Sequence, residues 1–382
     1  MNFVFGNNFH KNKLLSKQNS NDNVTTNIYD SCNKNASLIS FKDLFFPNKT
    51  VSVSEIERYF ACPYIHFVEY GLRLKEKEVF GLKSVDFGNF LHKIAENFVK
   101  MLIKNNFEFK EKEVLALINK IAENDFYSKS YCVEKSKITS LTKEAFVMCQ
   151  RIYRQICLSD FKPTHVEQKF VSPFEIEGLK IKGKIDRLDA YQNYFVVYDY
   201  KTGKNDFNYK DVFYGNKIQS LVYLSIIENL ENKMGVGAFY IPIKSKFIDD
   251  DMEDKFNGVF VNQKDILQQL DKTLLQDNSS KIFKIKFKND GSLYSTSEKY
   301  ALSPLEIKKL KNYVLKIFSN AVKQICDGNI SPCPSKEGCK YCKYASFCGY
   351  DIENFGYRKK ELEISKQNFT EILKEAENGK QN

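Results

Sequence analysis

Hydrophobic residues recur every three or four positions in the first part of the chain and every second position near its middle. The helical period is clearest at Phe87, Leu91, Ile94, Phe98 and Leu102. After residue 160 the period falls to two, and β-branched and aromatic residues become frequent, which is typical of strands. The predicted helices cover 55–61, 84–104, 111–124, 140–158, 211–229 and 303–327, and the predicted strands cover 164–170, 179–190, 194–200 and 236–243.

This order of elements predicts an α/β fold, in which a hairpin, a helix and a further strand form a mixed sheet within a helical shell. The remaining segments are polar or irregular, and one of them carries an acidic patch at 249–254. The predicted segments are a poorly ordered or peripheral arm (1–50), a helical part (51–160), the core (161–243), an insertion (244–300), a helix with a cysteine-rich segment (301–355) and a charged tail (356–382).

Composition and charge narrow the class of protein. The 382 residues are 42% hydrophobic and 28% charged, as in a protein with a sizeable core. No run of 18 apolar residues and no signal-peptide segment is present, so we expect no membrane span and a cytoplasmic protein. The net charge of +10 favours a polyanionic partner. The chain has no G-x-x-x-x-G-K-[ST] motif, so we expect no ATP hydrolysis by a P-loop.

Two acidic residues face each other in the predicted hairpin. A tight turn at 192–193 makes the numbers of paired residues sum to 385, which places Asp186 opposite Asp199. Like charges in that relation destabilise a sheet unless a cation lies between them. Lys201, two residues after Asp199, points to the same face. This set suits a divalent metal, a water nucleophile and a phosphate; the alternative is a surface hairpin whose acids face solvent.

Three more polar residues accompany the hairpin. Gln219 and Tyr223 are four residues apart and share one face of the next predicted helix. His92 follows Gly88 by one helical turn, and a glycine there leaves the imidazole uncovered by a side chain. Taken singly, His92 is equally typical of an ordinary half-buried histidine, and Gln219 with Tyr223 of an ordinary polar pair.

Together these residues form four motifs in a fixed order. The motifs are Gly88-x-x-x-His92, Gly183-x-x-Asp186, Asp199-x-Lys201 and Gln219-x-x-x-Tyr223. This set resembles the PD-(D/E)XK nuclease superfamily, specifically its RecB-like branch. The segments 52–67 and 213–223 are similar to the C-terminal nuclease domains of the AddB family, which belong to bacterial helicase–nucleases. The resemblance covers roughly residues 51–355.

The resemblance implies a restriction-endonuclease-like core and a role for each motif residue. Lys201 would position or activate the attacking water and stabilise charge in the transition state. Gln219 and Tyr223 would orient the catalytic strand and contact DNA. Glu167, on the first strand, is a weaker candidate that would neighbour the metal site, with a solvated carboxylate as the alternative. The implied ligands of Mg²⁺ or Mn²⁺ are His92, Asp186, Asp199 and the backbone carbonyl of Tyr200.

A second candidate site lies among the cysteines. Cys339, Cys342 and Cys348 lie within ten residues, and C-x-x-C spacing lets two thiolates reach one metal. The predicted fourth ligand is Cys62, and Cys333 is a possible replacement for Cys339. Four thiolates suit zinc and an iron–sulfur cluster alike, and a redox pair or a chance cluster is the remaining alternative. The family resemblance implies a 4Fe-4S cluster with a structural role.

The resemblance also implies a function, namely a metal-dependent deoxyribonuclease that acts on single-stranded DNA or DNA ends, leaves 5′-phosphates and works in repair and recombination with an AddA-like helicase. Candidates for the DNA path are Arg58, Arg73, Lys75 and Lys77. Because family subunits are far longer, we expect a split or truncated subunit or a free-standing nuclease. One alternative is a CRISPR-associated RecB-like nuclease that trims spacer precursors. The other is a DNA-end-binding scaffold without activity, and the intact motif residues argue against this second alternative.

Overall fold

In a computed structural model of the chain, the described residues are 40–75, 84–127, 135–202, 206–243, 255–335, 338–339, 342–350 and 363–377. The first 39 residues of the predicted arm, the acidic patch at 249–254 and Lys77 lie outside these ranges. None of the helices within them has the length and apolarity that crossing a bilayer requires.

The part before the sheet is mainly helical. Its elements are α1 (Phe41–Phe45), β1 (Thr50–Ser52), α2 (Val53–Ala61), α3 (Pro63–His66), α4 (Ser84–Lys104), α5 (Glu111–Ala122) and α6 (Lys135–Leu158), with π-helical turns at Phe67–Gly71 and Glu123–Tyr127. Ser52 caps α2 by accepting a hydrogen bond from the Glu55 amide. Phe45 and Phe46 are buried, so the predicted peripheral arm is already part of the packed structure from α1 onward.

The second part contains the sheet and the remaining helices. In chain order these are β2 (Lys162–Ile176), β3 (Leu179–Tyr191), β4 (Tyr194–Lys201), α7 (Tyr209–Phe213), α8 (Gln219–Glu231), β5 (Met234–Pro242), β6 (Asn257–Val261), α9 (Lys264–Leu270), α10 (Thr273–Asp277), α11 (Ser295–Glu298), β7 (Ala301–Leu302), α12 (Pro304–Cys326), α13 (Ala345–Cys348) and α14 (Lys366–Glu377). The last helix lies within the predicted charged tail.

The strands form one mixed sheet of seven strands in the order β1-β3-β4-β5-β6-β7, with β2 also paired to β3. The pairs β1–β3, β4–β5 and β6–β7 are parallel, and β2–β3, β3–β4 and β5–β6 are antiparallel. Helix α8 connects β4 to β5, packs on both strands and contacts α2 and α12. The predicted α/β fold with a mixed sheet inside a helical shell is therefore confirmed.

The β3–β4 hairpin has the predicted register. Tyr191 pairs with Tyr194 around the two-residue turn, and the ladder continues to Arg187 and Tyr198 with every pair summing to 385. The predicted turn position is therefore confirmed. A two-residue turn fixes which residues pair on either side of it, so the register could be counted outward from the turn.

Two elements differ from the sequence-based expectations. The helix predicted at 211–229 is two helices, α7 and α8, because the chain turns at Gly215 with φ +76° and an added Cβ would lie 2.3 Å from the Phe60 ring. The predicted insertion also contributes β6 and β7 to the main sheet. Strand β6 has five residues, of which Asn257 and a glycine come first and only the last three are hydrophobic, so it is too short to reveal a strand period. An added Cβ at that glycine, Gly258, would lie 2.0 Å from the Ala238 carbonyl oxygen.

Candidate active site

Three carboxylates lie side by side across three adjacent strands. The β2–β3 ladder pairs the residues on either side of Glu167 with those on either side of Asp186, so these two are opposite each other. The last pair of the β3–β4 ladder is Arg187 with Tyr198, so Asp186 and Asp199 are the next residues along these two strands. Glu167 has a left-handed backbone, φ 54°, which is uncommon for a residue with a side chain and is found at functional sites. We call Glu167, Asp186 and Asp199 the carboxylate row.

His92 approaches the carboxylate row from α4. Its Nδ1 lies 3.8 Å from Asp186 Oδ2. Potential ligand atoms of His92, Glu167 and Asp186 all lie within 4.8 Å of one another, the one such group of three in the described part of the chain. Gly88 permits this approach, because an added Cβ would lie 2.9 Å from Thr202 Cγ2 at the end of β4. The group can hold a divalent cation.

Electrostatics at Asp186 favour a bound cation. Burial, and secondarily the charge of Asp199, raises the pKa of Asp186 to about 8, although its Oδ2 accepts a hydrogen bond from the Tyr200 amide at 2.9 Å. Burial lowers the pKa of His92, so its imidazole is neutral near pH 7 and keeps a lone pair for a metal. The imidazole ring also lies edge-on to the ring of Tyr200, with 5.9 Å between the ring centroids, and the Tyr200 carbonyl is the predicted additional ligand.

Lys201 lies on the same face of β4 as Asp199 and pairs with it. The distance from Lys201 Nζ to Asp199 Oδ2 is 2.6 Å. Burial alone would lower the pKa of Lys201, but the charge and hydrogen bond of Asp199 outweigh it and raise that pKa above its usual value. Lys201 is therefore an ammonium group that can stabilise negative charge. Asp199 stands outside the group of three potential ligands and faces this ammonium instead.

Gln219 and Tyr223 lie on the first turns of α8, over the same part of the sheet. The Gln219 side-chain amide donates to the Tyr223 hydroxyl at 3.1 Å. An added Cβ at Gly183 would lie 2.8 Å from the Tyr223 ring and closer still to the Phe170 ring, so the glycine of the second motif makes room for both rings. Burial raises the pKa of Tyr223 to about 12, which keeps its hydroxyl protonated. Both side chains line a cavity of about 10 Å³ with Asp186 and Asp199, the size of one water or ion.

The structure also identifies residues that sequence analysis placed at the edge of the site or missed. Glu167, predicted only as a neighbour of the metal, lies within the group of potential ligands and pairs with Lys184. Behind the carboxylate row, Arg187 is fully buried, donates to Asp189 at 2.6 and 2.7 Å and lies 4.4 Å from the Tyr198 ring centroid. The available signal was that Arg187 and Asp189 continue the odd-numbered register of β3, which is apolar or glycine from Leu179 to Ile185, while the other charged residues of the strand have even numbers. This pair fixes β3 directly behind Asp186.

The four predicted cysteine ligands surround one cavity. Cys62, Cys339, Cys342 and Cys348 line a space of about 120 Å³, and Cys333 is not among its lining residues. Burial raises the pKa of the Cys339 and Cys348 thiols, and the charges of neighbouring cysteines add to this effect. Among the described residues, no three of these sulfurs lie within 4.8 Å of one another. Tetrahedral zinc would require sulfur–sulfur distances of about 3.8 Å, so the arrangement is wide for zinc.

The candidate DNA-path residues differ in their surroundings. The Arg58 guanidinium donates to both oxygens of Glu69, at 2.7 and 2.6 Å, and Tyr344 hydrogen-bonds the same carboxylate. Arg58 therefore links α2 to the cysteine-rich segment. Arg73 and Lys75 are exposed.

Comparison with known proteins agrees with this geometry. The model of the PD-(D/E)XK nuclease superfamily matches residues 50–349. The chain is 28% identical to the B-type subunit of the ATP-dependent helicase/deoxyribonuclease of Clostridium kluyveri, over 92% of this chain and 34% of that protein. Proteins of the same name from Caldanaerobacter subterraneus subsp. tengcongensis and Acetivibrio thermocellus are 27% and 30% identical, over 96% and 78% of this chain and 35% and 30% of theirs. The chain thus spans about a third of the length of these relatives. Because the superfamily model covers most of it, the chain belongs to the PD-(D/E)XK nuclease superfamily.

Proposed function

We propose that the chain is a metal-dependent deoxyribonuclease that hydrolyses phosphodiester bonds in single-stranded DNA or at DNA ends. The observation that carries this proposal is the carboxylate row, with His92 beside Asp186 and Lys201 beside Asp199. A row of three carboxylates destabilises the sheet on its own, and a cation between them reverses that effect. Nucleases of this superfamily use divalent metals, and the oxygen-rich ligand set suits Mg²⁺ or Mn²⁺.

The residues that would hold the cation are His92, Glu167 and Asp186, with Asp199, which lies outside this group and pairs with Lys201, and the backbone carbonyl of Tyr200 proposed as further ligands. The cation supplies a water of lowered pKa and positive charge beside the scissile phosphate. Neutral His92 is in the state that ligation requires, because its pKa is lowered by burial. The ligands come from four different elements, so the fold and not a local motif determines the geometry.

Lys201, Gln219 and Tyr223 would act on the substrate. The raised pKa of Lys201 keeps it an ammonium while it contacts Asp199, so we assign it stabilisation of negative charge on the phosphate oxygens in the transition state rather than proton abstraction. The side chains of Gln219 and Tyr223 can donate hydrogen bonds at the same cavity, which suits orientation of the DNA backbone.

The test is cleavage of end-labelled single-stranded DNA with Mn²⁺. The wild type should cleave without ATP and leave 5′-phosphates, and Asp199→Ala should be at least about 100-fold slower because it removes a ligand and the partner of Lys201. Asp277→Asn is the control, since Asp277 is exposed on α10 and paired only loosely with Lys281, at 3.6 Å. Absence of cleavage by the wild type, or equal cleavage by Asp199→Ala, would refute the proposal.

We further propose that the chain works as the nuclease part of an AddAB-type helicase–nuclease. Support comes from the relatives, whose name combines an ATP-dependent helicase with a deoxyribonuclease, and from the missing P-loop motif in this chain. ATP should therefore leave cleavage by the chain alone unchanged and should stimulate it only when an AddA-like helicase is added. Stimulation by ATP without the helicase would contradict this assignment.

The four cysteines around the second cavity are proposed to hold a 4Fe-4S cluster. Such a cluster carries each thiolate on a different iron, so it needs wider sulfur separations than zinc does. The cavity of about 120 Å³ fits that requirement. The sulfur positions fit it as well, because every set of three of these sulfurs contains at least one pair that is more than 4.8 Å apart. The cluster would supply no redox step; it would tie the end of α2 to α13 and thereby close a very long loop, which disfavours the unfolded chain.

Anaerobic purification tests the cluster. We expect a brown protein with an absorbance maximum near 400 nm (roughly 380–420 nm) and about four irons per chain. Cys342→Ser should lose both the colour and the iron, whereas Cys157→Ser, an exposed cysteine on α6, should keep them. A colourless wild-type protein that contains zinc would overturn the assignment.

A further inference from the structure

The start of α8 depends on a carboxylate that belongs to another helix. Glu57, on α2, accepts hydrogen bonds from the backbone amides of Ile218 and Gln219 at 2.7 and 2.9 Å, both through Oε1. These are amides at the start of a helix, which have no intrahelical acceptor. The sequence separations between acceptor and donors are 161 and 162 residues. Glu57 therefore joins two elements that only the tertiary fold brings together.

The sequence of α8 supplies no cap of its own. Its N-cap position is occupied by Ile218, whose side chain makes no capping hydrogen bond, and isoleucine is among the least favourable residues there. A carboxylate at this end also interacts favourably with the positive end of the helix dipole. Glu57 thus provides the hydrogen-bond acceptor that Ser, Asp or Asn at the N-cap would ordinarily provide locally.

The residue that Glu57 holds is the first residue of a predicted functional motif. The Gln219 amide binds Glu57, and the Gln219 side chain donates to the Tyr223 hydroxyl one turn further on. Both side chains line the small cavity beside Asp186 and Asp199. Release of the first turn of α8 would therefore move two proposed DNA-orienting groups relative to the carboxylate row.

We infer that Glu57 is a positioning residue for the nuclease reaction: it fixes the first turn of α8, and through it Gln219 and Tyr223, against the carboxylate row. This inference rests on the proposed nuclease function. Glu57 lies five residues before Cys62, about 7.5 Å along the same helix axis, so the element that ends at the cysteine site also carries the cap of α8. Helix α2 thereby connects the cysteine site, through α8, to the carboxylate row.

The test compares Glu57→Ala with Glu57→Gln. Alanine removes the acceptor, whereas glutamine keeps an oxygen at the same distance, and burial already raises the pKa of Glu57 to about 7, so a neutral side chain is tolerated there. In hydrogen exchange, the amides of Ile218 and Gln219 should exchange about tenfold faster in Glu57→Ala and near the wild-type rate in Glu57→Gln. Cleavage of single-stranded DNA with Mn²⁺ should fall about tenfold or more in Glu57→Ala and stay within about threefold in Glu57→Gln.

Glu55→Ala is the matched control. Glu55 lies on the same helix and is buried, but it pairs with His66 at 3.3 Å and not with α8. We expect this variant to be destabilised without faster exchange at the start of α8 and with cleavage close to that of the wild type. Equal loss of activity in Glu57→Gln and Glu57→Ala would overturn the positioning role in favour of a role for the charge.

The capping of α8 by Glu57 and its effect on cleavage can be refuted separately. Unchanged exchange in Glu57→Ala would refute the cap, whatever the activity. Normal activity in Glu57→Ala would refute the positioning role. If the wild type does not cleave DNA, the nuclease proposal fails, while the exchange experiment still decides whether Glu57 caps α8.

Discussion

Replacing Asp186 with asparagine should stabilise the metal-free protein and abolish cleavage at the same time. The Asp186 side chain is 15% exposed and lies between Glu167 and Asp199 in the carboxylate row. Asparagine has nearly the same shape and can still accept the hydrogen bond from the Tyr200 amide, but it carries no charge. The substitution therefore removes an electrostatic penalty and a proposed metal ligand in one step.

The pKa difference between the folded and unfolded chain sets the magnitude. The pKa of Asp186 is about 8 in the folded protein and about 3.9 in an unfolded chain. The folded state therefore binds the proton more tightly, so stability is lost as the pH rises from about 4 to about 8 and is constant above. At about 1.4 kcal/mol per pKa unit the loss is at most about 5–6 kcal/mol. Because the site can relax and admit water, we expect Asp186→Asn to gain about 2–4 kcal/mol at pH 8.5.

Thermal unfolding in metal-free buffer at pH 5.5 and 8.5 measures this gain. At about 1 °C per kcal/mol for a chain of this length, Asp186→Asn should melt a few degrees above the wild type at pH 8.5 and less so at pH 5.5. Asp277→Asn should follow the wild type at both values. Mn²⁺ should raise the Tm of the wild type more than that of Asp186→Asn. If Asp186→Asn is no more stable than the wild type at pH 8.5, the carboxylate row carries no penalty and the argument for a cation site fails.

Three further substitutions test other contacts of the site. Lys201→Met should slow cleavage about 100-fold or more, because it removes the ammonium group that stabilises the transition state. It should not weaken Mn²⁺ binding in titration calorimetry, since it frees Asp199, and weaker binding would contradict the role assigned to Lys201. Glu167→Gln should weaken Mn²⁺ binding about tenfold or more, whereas Glu175→Gln on the same strand should not; equal affinities would exclude Glu167 as a ligand. Gly88→Ala should slow cleavage about tenfold with little change in Tm, because its Cβ would press on the end of β4 and displace α4; wild-type activity would contradict this.

The hairpin and the carboxylate row differ in how far the sequence could predict them. The pairing of Asp186 with Asp199 follows from counting outward from a two-residue turn, and the β3–β4 ladder has that register. The same count from the turn between β2 and β3 places Lys169 opposite Asp186, since the pairs next to that turn sum to 355. A bulge between residues 171 and 175 shifts the pairs to a sum of 353, which brings Glu167 there instead. Pro173, which has no amide hydrogen to donate to the ladder, lies inside this bulge and is the one local sequence signal for it.

The contacts of Glu57 and Cys62 show a second limit of sequence analysis. Glu57 lies on α2 and Cys62 directly follows it, and the helical pattern of α2 was predictable, but their partners lie far along the chain, near residues 218 and 339–348. A capping carboxylate from another helix has no spacing rule, because its position depends on how α2 and α8 pack. The four cysteines could be grouped from the sequence because closely spaced cysteines outside a disulfide framework are typical of a metal site.

The charges around the carboxylate row also determine where a cation should bind first. Lys201 compensates Asp199 at 2.6 Å, and Lys184 pairs with Glu167. His92 adds no compensating charge at neutral pH, since burial lowers its pKa. Asp186 is therefore the carboxylate with the least compensation, as its raised pKa indicates. A cation that binds beside Asp186 removes the largest penalty, so we expect metal affinity to rise with pH up to about 8, in parallel with ionisation of this one side chain.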